Sequence, residues 1–135
     1  MSLDQDGPQL VKVKRKILIV DDDKEIVSAI RRALMSIKDI IVDTAYDGPG
    51  AKFKFDEFKP DLVLLDMRMP GTDGYELCAA IRQHPAGKNV KIIIVSGIMD
   101  MDGLEKVVKM GANDFLAKPF RNEFLQLKVE RMLGV

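Results

Sequence analysis

The chain has 135 residues, which suits one domain with a sizeable core, and its content of 47% hydrophobic and 31% charged residues is ordinary for a globular protein. Its 21 basic and 21 acidic side chains balance, so no net charge favours nucleic acid or a membrane surface. The single cysteine, Cys78, excludes an internal disulfide and fits a reducing compartment. Because no apolar run approaches the roughly 20 residues of a membrane span and no secretion signal is evident, we expect a cytoplasmic domain without membrane or direct nucleic-acid contact.

Strand and helix patterns alternate along the chain. Short apolar runs predict strands at residues 17–20, 40–45, 62–65, 90–95 and 114–117. Helical spacing of apolar residues predicts helices around residues 26–37, 49–58, 77–81, 102–110 and 122–133. This alternation indicates a doubly wound parallel sheet with right-handed crossovers. We expect residues 1–13 to form a disordered extension and residues 14–135 to form the domain, with no output domain after the last helix.

Carboxylates follow two of the predicted strands at the point where each strand ends. Asp21, Asp22 and Asp23 come directly after the first strand, and Asp66 comes directly after the third. In open α/β sheets, ligands bind just past the carboxyl ends of the strands. Carboxylates that meet there repel one another unless a cation lies between them, and oxygen ligands of this kind suit Mg²⁺. The sequence therefore predicts a site for a hard metal ion at this edge of the sheet.

Four segments in this order resemble the receiver domains of response regulators from two-component signalling. The segments are ILIVDDD (residues 17–23), LLDMRMPGTDG (64–74), VSG (95–97) and GANDFLAKPF (111–120). Each motif alone is weak, but four in the right order and strand context are specific. The resemblance covers about residues 14 to 133. It implies a flavodoxin-like fold, in which a five-stranded parallel sheet of order 2-1-3-4-5 is flanked by five helices.

The resemblance assigns the chemistry to residues at the carboxyl edge of the sheet. It implies that Asp66 is the phosphoacceptor, since a carboxylate is a competent nucleophile toward phosphorus. It also implies that Asp21, Asp22, Asp66 and the backbone carbonyl of Arg68 bind Mg²⁺, with Mn²⁺ as an alternative ion. Lys118 would place its ammonium near the phosphoryl oxygens. Asp23 is expected to cap the first helix instead of binding metal.

The same resemblance implies a switch and two residues that tune its lifetime. Ser96 would donate a hydrogen bond to the attached phosphoryl group, and Phe115 would then turn inward; many relatives have Tyr here, so this chain departs from that version. The surface formed by the fourth helix, fifth strand and fifth helix would change shape in response. Arg68 and Ile98 are expected to flank the approach of attacking water and to prolong the phosphoryl form.

The expected function is a phosphoacceptor switch and not a turnover enzyme. Its partners would be a sensor histidine kinase or a phosphotransfer protein, and a second copy of the chain through the surface of the fourth helix, fifth strand and fifth helix. Two alternatives remain open. Asp21 and Asp23 form an Asp-x-Asp resembling the nucleophile motif of haloacid-dehalogenase-like phosphohydrolases, although Lys24 and Glu25 follow where that motif continues toward Gly-Thr. The other alternative is a receiver that is never phosphorylated and only docks.

Overall fold

The computed structural model of the chain describes residues 13–97 and 101–135. The extension that we expected to be disordered, residues 1–13, therefore lies outside the described residues except for Val13. Ile98, one of the two residues expected to tune the phosphoryl lifetime, also lies outside them.

Seven strands and five helices follow one another in the described part of the chain. The strands are β1 (Arg15–Val20), β2 (Ile40–Ala45), β3 (Leu62–Leu65), β4 (Arg68–Met69), β5 (Thr72–Asp73), β6 (Lys91–Ser96) and β7 (Asp114–Ala117). The helices are α1 (Lys24–Leu34), α2 (Gly48–Phe58), α3 (Gly74–Gln83), α4 (Met101–Lys109) and α5 (Asn122–Leu133). None of the helices in this part of the chain is long and apolar enough to cross a lipid bilayer.

The five longer strands form one parallel sheet in the order β2-β1-β3-β6-β7. Renumbered over these strands alone, the order is 2-1-3-4-5, which confirms the predicted flavodoxin-like topology. The register decides where the site lies. Val20 pairs with Leu65, so β1 and β3 end level and the next residues, Asp21 and Asp66, are neighbours. Ser96 pairs with Ala117, which places Lys118 beyond the same edge.

Both faces of the sheet are covered, as the unbroken apolar runs predicted. Leu18 and Val20 point to one face and join a cluster that includes Phe55 of α2 and Leu77 of α3. Ile17 and Ile19 point to the other face and pack with residues of α1 and α5. Every residue from 17 to 20 is at most 1% exposed, and burial of each such side chain contributes about 1.5–3 kcal/mol to folding. This fully buried strand is the base on which Asp21 and Asp22 are held.

The structure differs from the sequence prediction in two places. Helix α1 ends at Leu34, with Met35 as its C-cap, although Ile37 is still buried as its apolar spacing suggested. After β3, where we expected only a turn, the chain forms a small antiparallel hairpin in which Arg68 pairs with Asp73 and Met69 with Thr72. The hairpin begins at Arg68, two residues after Asp66.

Candidate functional site

Asp66 lies at the centre of the carboxyl edge of the sheet. Its backbone N–H donates to the carbonyl of Val20 at 2.9 Å, which continues the β1–β3 pairing by one residue and fixes where the side chain begins. One carboxylate oxygen, Oδ1, accepts a hydrogen bond of 3.2 Å from the backbone N–H of Arg68. Asp66 as a whole is only 5% exposed. A buried carboxylate with one backbone donor is thus held just past the end of β3.

Two further carboxylates meet Asp66 from the end of β1. Asp21 is 2% exposed, and its Oδ1 accepts from the N–H of Asp23 at 2.9 Å, whereas Asp22 is exposed. One carboxylate oxygen from each of Asp21, Asp22 and Asp66 lies within 4.8 Å of the others. Oxygen donors that converge in this way fit a hard divalent cation, and two of them are too buried for water to relieve their repulsion fully.

Asp23 points away from this cluster and caps α1. Its Oδ1 accepts hydrogen bonds from the backbone N–H groups of Glu25 and Ile26, at 2.9 and 3.3 Å. This confirms the helix-cap prediction, and it satisfies donors that the first turn of a helix otherwise leaves unpaired. The second aspartate of the Asp-x-Asp motif is therefore used structurally, which counts against the phosphohydrolase alternative.

Lys118 reaches into the carboxylate cluster from the loop after β7. Its Nζ lies 2.6 Å from Oδ2 of Asp21 and 3.7 Å from Oδ2 of Asp66. The backbone supports this position, because the Lys118 N–H donates to the carbonyl of Ser96 at 2.7 Å. The Lys118–Pro119 peptide bond is cis. The ammonium thus neutralises part of the negative charge and lies closer to Asp21 than to Asp66.

Ser96, at the end of β6, contributes a hydroxyl without a partner. The residue is 1% exposed, and its Oγ has no hydrogen-bond partner among the described residues. An unsatisfied buried hydroxyl is unfavourable, and such groups are rare outside sites that bind something. The hydroxyl lies at the same edge of the sheet as Asp66. Ile94, two residues before Ser96, pairs with Leu65, the residue before Asp66.

Burial raises the pKa of the Asp66 carboxyl above its ordinary value of 3.8. The negative charges of Asp21 and Asp22 add to this effect, while the hydrogen bond from the Arg68 N–H and the charge of Lys118 act against it. A cation bound nearby would therefore favour the ionised form of Asp66.

The remaining predicted residues lie around this cluster. Phe115 is half-buried on β7 and packs against the core cluster that contains Phe55 and Leu77. The Arg68 residue is exposed, and its backbone N–H is the group that contacts Asp66. Whether the Arg68 carbonyl binds a metal ion stays a prediction.

Sequence reasoning missed the contacts that hold the loop after Asp66. The Oγ1 of Thr72 accepts a hydrogen bond of 3.0 Å from the backbone N–H of Gly48, on a helix 24 residues away in sequence. Two-residue strands carry no periodic signal, so the only local hint was the Pro-Gly pair at residues 70 and 71.

Comparison with known proteins agrees with this geometry. Residues 17–130 match the family model described as "Response regulator receiver domain". The chain is 37% identical over 123 residues to "Probable transcriptional regulator ycf27" of Galdieria sulphuraria, covering 89% of this chain and 46% of that protein. It is 33% identical over 118 residues to "Phosphate regulon transcriptional regulatory protein PhoB" of Rhizobium meliloti, covering 87% of this chain and 52% of that protein.

The solved structures show the same relationship. One similar structure is the "BeF3 Activated DrrB Receiver Domain", with a TM-score of 0.79 and 31% sequence identity over 91% of this chain and 100% of that one. The chain spans about half the length of the curated relatives PhoB and ycf27. Fold, site geometry and sequence matches thus lead to one conclusion: the chain belongs to the response regulator receiver domain family, a family of signalling domains.

Proposed function

We propose that this chain is the phosphoacceptor switch of a two-component phosphorelay. In this proposal Asp66 accepts a phosphoryl group from the phosphohistidine of a sensor histidine kinase or phosphotransfer protein, or from a small phosphodonor. The observation that supports it most is the convergence of three carboxylates with the Lys118 ammonium at the carboxyl edge of the sheet. Family membership agrees with this function but does not identify the residue that is modified.

The transfer step follows from the chemistry of a carboxylate. A carboxylate oxygen of Asp66 attacks the phosphorus, so an O–P bond forms while the P–N bond to the donor histidine breaks. The electron pair of the broken bond returns to the imidazole nitrogen, which can then take up a proton. Lys118 stabilises the charge on the phosphoryl oxygens, because its Nζ already lies 3.7 Å from Oδ2 of Asp66. Later attack by water breaks the O–P bond and releases inorganic phosphate, which resets the carboxylate.

The carboxylate cluster fits Mg²⁺, with Mn²⁺ as an alternative ion. Asp21, Asp22 and Asp66 would hold it, and the Arg68 carbonyl is the further protein ligand that we propose. When bound, the ion offsets the repulsion between the carboxylates and an incoming phosphoryl group. Because burial raises the pKa of Asp66, a nearby cation also favours the ionised form that is needed for attack.

The response to phosphorylation would begin at Ser96. Its buried hydroxyl has no partner among the described residues, so a phosphoryl oxygen on Asp66 offers the acceptor that it lacks. Ser96 and Phe115 lie on adjacent strands of the sheet, which lets a shift of β6 change the room available to the half-buried Phe115 ring. The modification would thereby bias an existing equilibrium between two states.

The proposed output is a change in the surface of α4, β7 and α5. Val108 on α4 and Phe124 and Leu127 on α5 are exposed apolar side chains on these helices, at 67%, 55% and 45% exposure. Such residues suit a partner or a second copy of this chain. Because the curated relatives are about twice as long and are named as transcriptional regulators, we propose that the output is carried by another domain or protein.

Treatment with acetyl phosphate and Mg²⁺, followed by intact-protein mass spectrometry, tests the assignment. We expect the wild-type chain to gain one base-labile phosphoryl group and Asp66→Asn to gain none. Asp23→Asn is the matched control, because asparagine also caps a helix and this change should leave phosphorylation intact. Continued labelling of Asp66→Asn would refute the proposal, and loss of labelling in Asp23→Asn would favour the phosphohydrolase alternative. A wild-type chain that gains no phosphate would favour a receiver that only docks.

A further inference from the structure

The loop that follows Asp66 determines where two groups of the site lie. The Arg68 N–H donates to Oδ1 of Asp66, and the Arg68 carbonyl is the proposed fourth metal ligand. Arg68 belongs to the first strand of the hairpin, where it pairs with Asp73. Any movement of the hairpin therefore moves both groups relative to the reacting carboxylate.

This hairpin is too short to hold its own position. Each strand contains two residues, and even longer isolated two-stranded hairpins are marginally stable in water. Contacts with other elements must fix it. Met69 provides one, since its side chain is 5% exposed and belongs to the core cluster. The base of the hairpin is closed by Gly74, whose backbone lies so close to Met67 that an added Cβ would be 2.7 Å from the Met67 Cα.

Thr72 provides the contact that joins the hairpin to α2. Its Oγ1 accepts the backbone N–H of Gly48, the first residue of that helix, at 3.0 Å. The first N–H groups of a helix need acceptors from outside the helix. The Asp47 side chain accepts from Gly50 at 2.6 Å, and Pro49 has no N–H, which leaves the Gly48 N–H for Thr72.

The fit between these two residues is close. A Cβ added to Gly48 would lie 3.0 Å from both Oγ1 and Cγ2 of Thr72. A glycine at this helix start thus allows the threonine to approach the backbone, and the threonine in turn completes the cap. The contact joins the hairpin that follows Asp66 to α2. That helix packs on the face of the sheet to which Leu18 and Val20 point.

We propose that Thr72 is a positioning residue for phosphoryl transfer at Asp66. It touches none of the reacting atoms, but its hydroxyl anchors the hairpin that places the Arg68 N–H and carbonyl. This inference rests on the proposed function, since it assumes that Asp66 is the phosphoacceptor. A small displacement of a positioned group can slow a reaction by about tenfold to about a hundredfold.

Thr72→Val tests the inference, because valine keeps the branched shape and removes only the acceptor. We expect the maximal rate of phosphorylation by acetyl phosphate to fall about tenfold or more, while the half-saturating donor concentration changes little. Hydrogen–deuterium exchange of the Arg68 amide should become faster in the metal-free protein, and the Mg²⁺ dissociation constant measured by calorimetry should rise. The two readouts without phosphodonor report the loop directly.

The chain offers a matched control and a rescue variant. Thr44→Val makes the same chemical change at the other threonine, whose hydroxyl contacts the Tyr46 hydroxyl at 3.3 Å on the exposed side of β2, and it should behave as wild type. Thr72→Ser keeps the hydroxyl and should restore the rate and the Arg68 amide protection. If Thr72→Val fails to unfold cooperatively, Thr72→Ser alone decides, and loss of both properties in that folded variant overturns the inference.

The outcomes separate this inference from the proposed function. If Asp66→Asn is not labelled but Thr72→Val matches Thr44→Val in rate and amide exchange, the positioning role is wrong and the phosphoacceptor assignment stands. If Asp66→Asn is labelled, the proposed function itself fails, and the Arg68 amide exchange still shows whether Thr72 holds the hairpin.

Discussion

The two edges of the central sheet treat charge in opposite ways. At the carboxyl edge, three carboxylates crowd around one ammonium, the Asp66 carboxyl has a raised pKa, and the Ser96 hydroxyl lacks a partner among the described residues. At the amino edge, all N–H groups of the Arg82 guanidinium donate hydrogen bonds. They donate to the backbone carbonyls of Gly87, Val90 and Gly111 and to the side-chain oxygen of Asn113.

The difference shows which edge stabilises the fold and which edge is reserved for chemistry. Asn113 Oδ1 also accepts the N–H of Ile92, so the Arg82 cluster joins α3 to the starts of β6 and β7 with satisfied hydrogen bonds. The Asp66 cluster, in contrast, keeps like charges close together, and within the described part of the chain the Ser96 hydroxyl is unpaired. Groups arranged in this way are poised to bind something and are unfavourable when nothing is bound.

Removing Arg82 should have the largest effect on stability. Arg82→Met keeps much of the aliphatic stem but leaves several backbone carbonyls without their donor, so we expect the free energy of unfolding to fall by about 2 kcal/mol. Urea denaturation measures this change. Arg31→Met, at an exposed position on α1, is the control and should change stability by less than about 0.5 kcal/mol. Equal effects of the two substitutions would mean that the amino edge has no special role.

Neutralising Asp66 should stabilise the metal-free protein. Because the pKa of Asp66 is raised in the folded state, its favourable contribution is complete below the ordinary value of 3.8 and is lost as the pH rises through the raised pKa. At pH 7, Asp66→Asn removes this penalty and should raise the free energy of unfolding on the order of 1 kcal/mol. The gain should shrink as the pH falls through the raised pKa of Asp66 and should vanish below the ordinary value of 3.8.

Denaturation curves from pH 3 to pH 7 with a chelator present measure the effect of Asp66→Asn. Asp23→Asn, at the exposed cap of α1, removes a carboxylate outside the cluster and is the control, with no comparable gain expected at pH 7. An Asp66→Asn protein that is less stable than wild type at pH 7 would show that the carboxyl edge is not electrostatically unfavourable.

We expect the lifetime of the phosphoryl group to depend on Arg68 and Ile98. Replacing Arg68 and Ile98 together with serine should speed dephosphorylation several-fold, because small polar side chains would give attacking water easier access to the phosphorus. A several-fold change in rate corresponds to about 1 kcal/mol in the barrier. Loss of the phosphoprotein mass with time measures it. An unchanged half-life would reject a tuning role for these two residues.

Removing the Ser96 hydroxyl should have the smallest effect on folding. A buried hydroxyl that has a partner contributes about 1 kcal/mol, but this one has no partner among the described residues, so Ser96→Ala should not lower stability and should raise it by about 0.5 kcal/mol or less. Urea denaturation before phosphorylation provides the measurement. A loss of unfolding free energy as large as that expected for Arg82→Met would show that the Ser96 hydroxyl has a hydrogen-bond partner.

The sequence predicted the carboxyl edge better than the amino edge, for a physical reason. Unbroken apolar runs at residues 17–20 and 62–65 predict buried parallel strands, and the topology then brings the aspartates that follow them together. The Arg82 cluster left no such signal, because an arginine within a helix looks like a solvated residue and its partners are mainly backbone carbonyls.

Distances between the side chains of the site could not be predicted from the sequence. The resemblance predicts Lys118 near the phosphoryl position. It does not predict that the Nζ lies closest to Asp21, because that contact depends on side-chain packing between residues 97 positions apart in the sequence. The Thr72–Gly48 contact likewise joins the hairpin to the start of α2, and the sequence around each residue shows only turn-forming residues.

If Asp66 carries the phosphoryl group, mapping the modified residue will locate the phosphate at position 66. After treatment with acetyl phosphate and Mg²⁺, borohydride reduces an aspartyl phosphate to homoserine, whose position peptide mass spectrometry then identifies. We expect homoserine at position 66 and aspartate retained at positions 21, 22 and 23. Homoserine at position 21 with Asp66 unchanged would contradict this expectation.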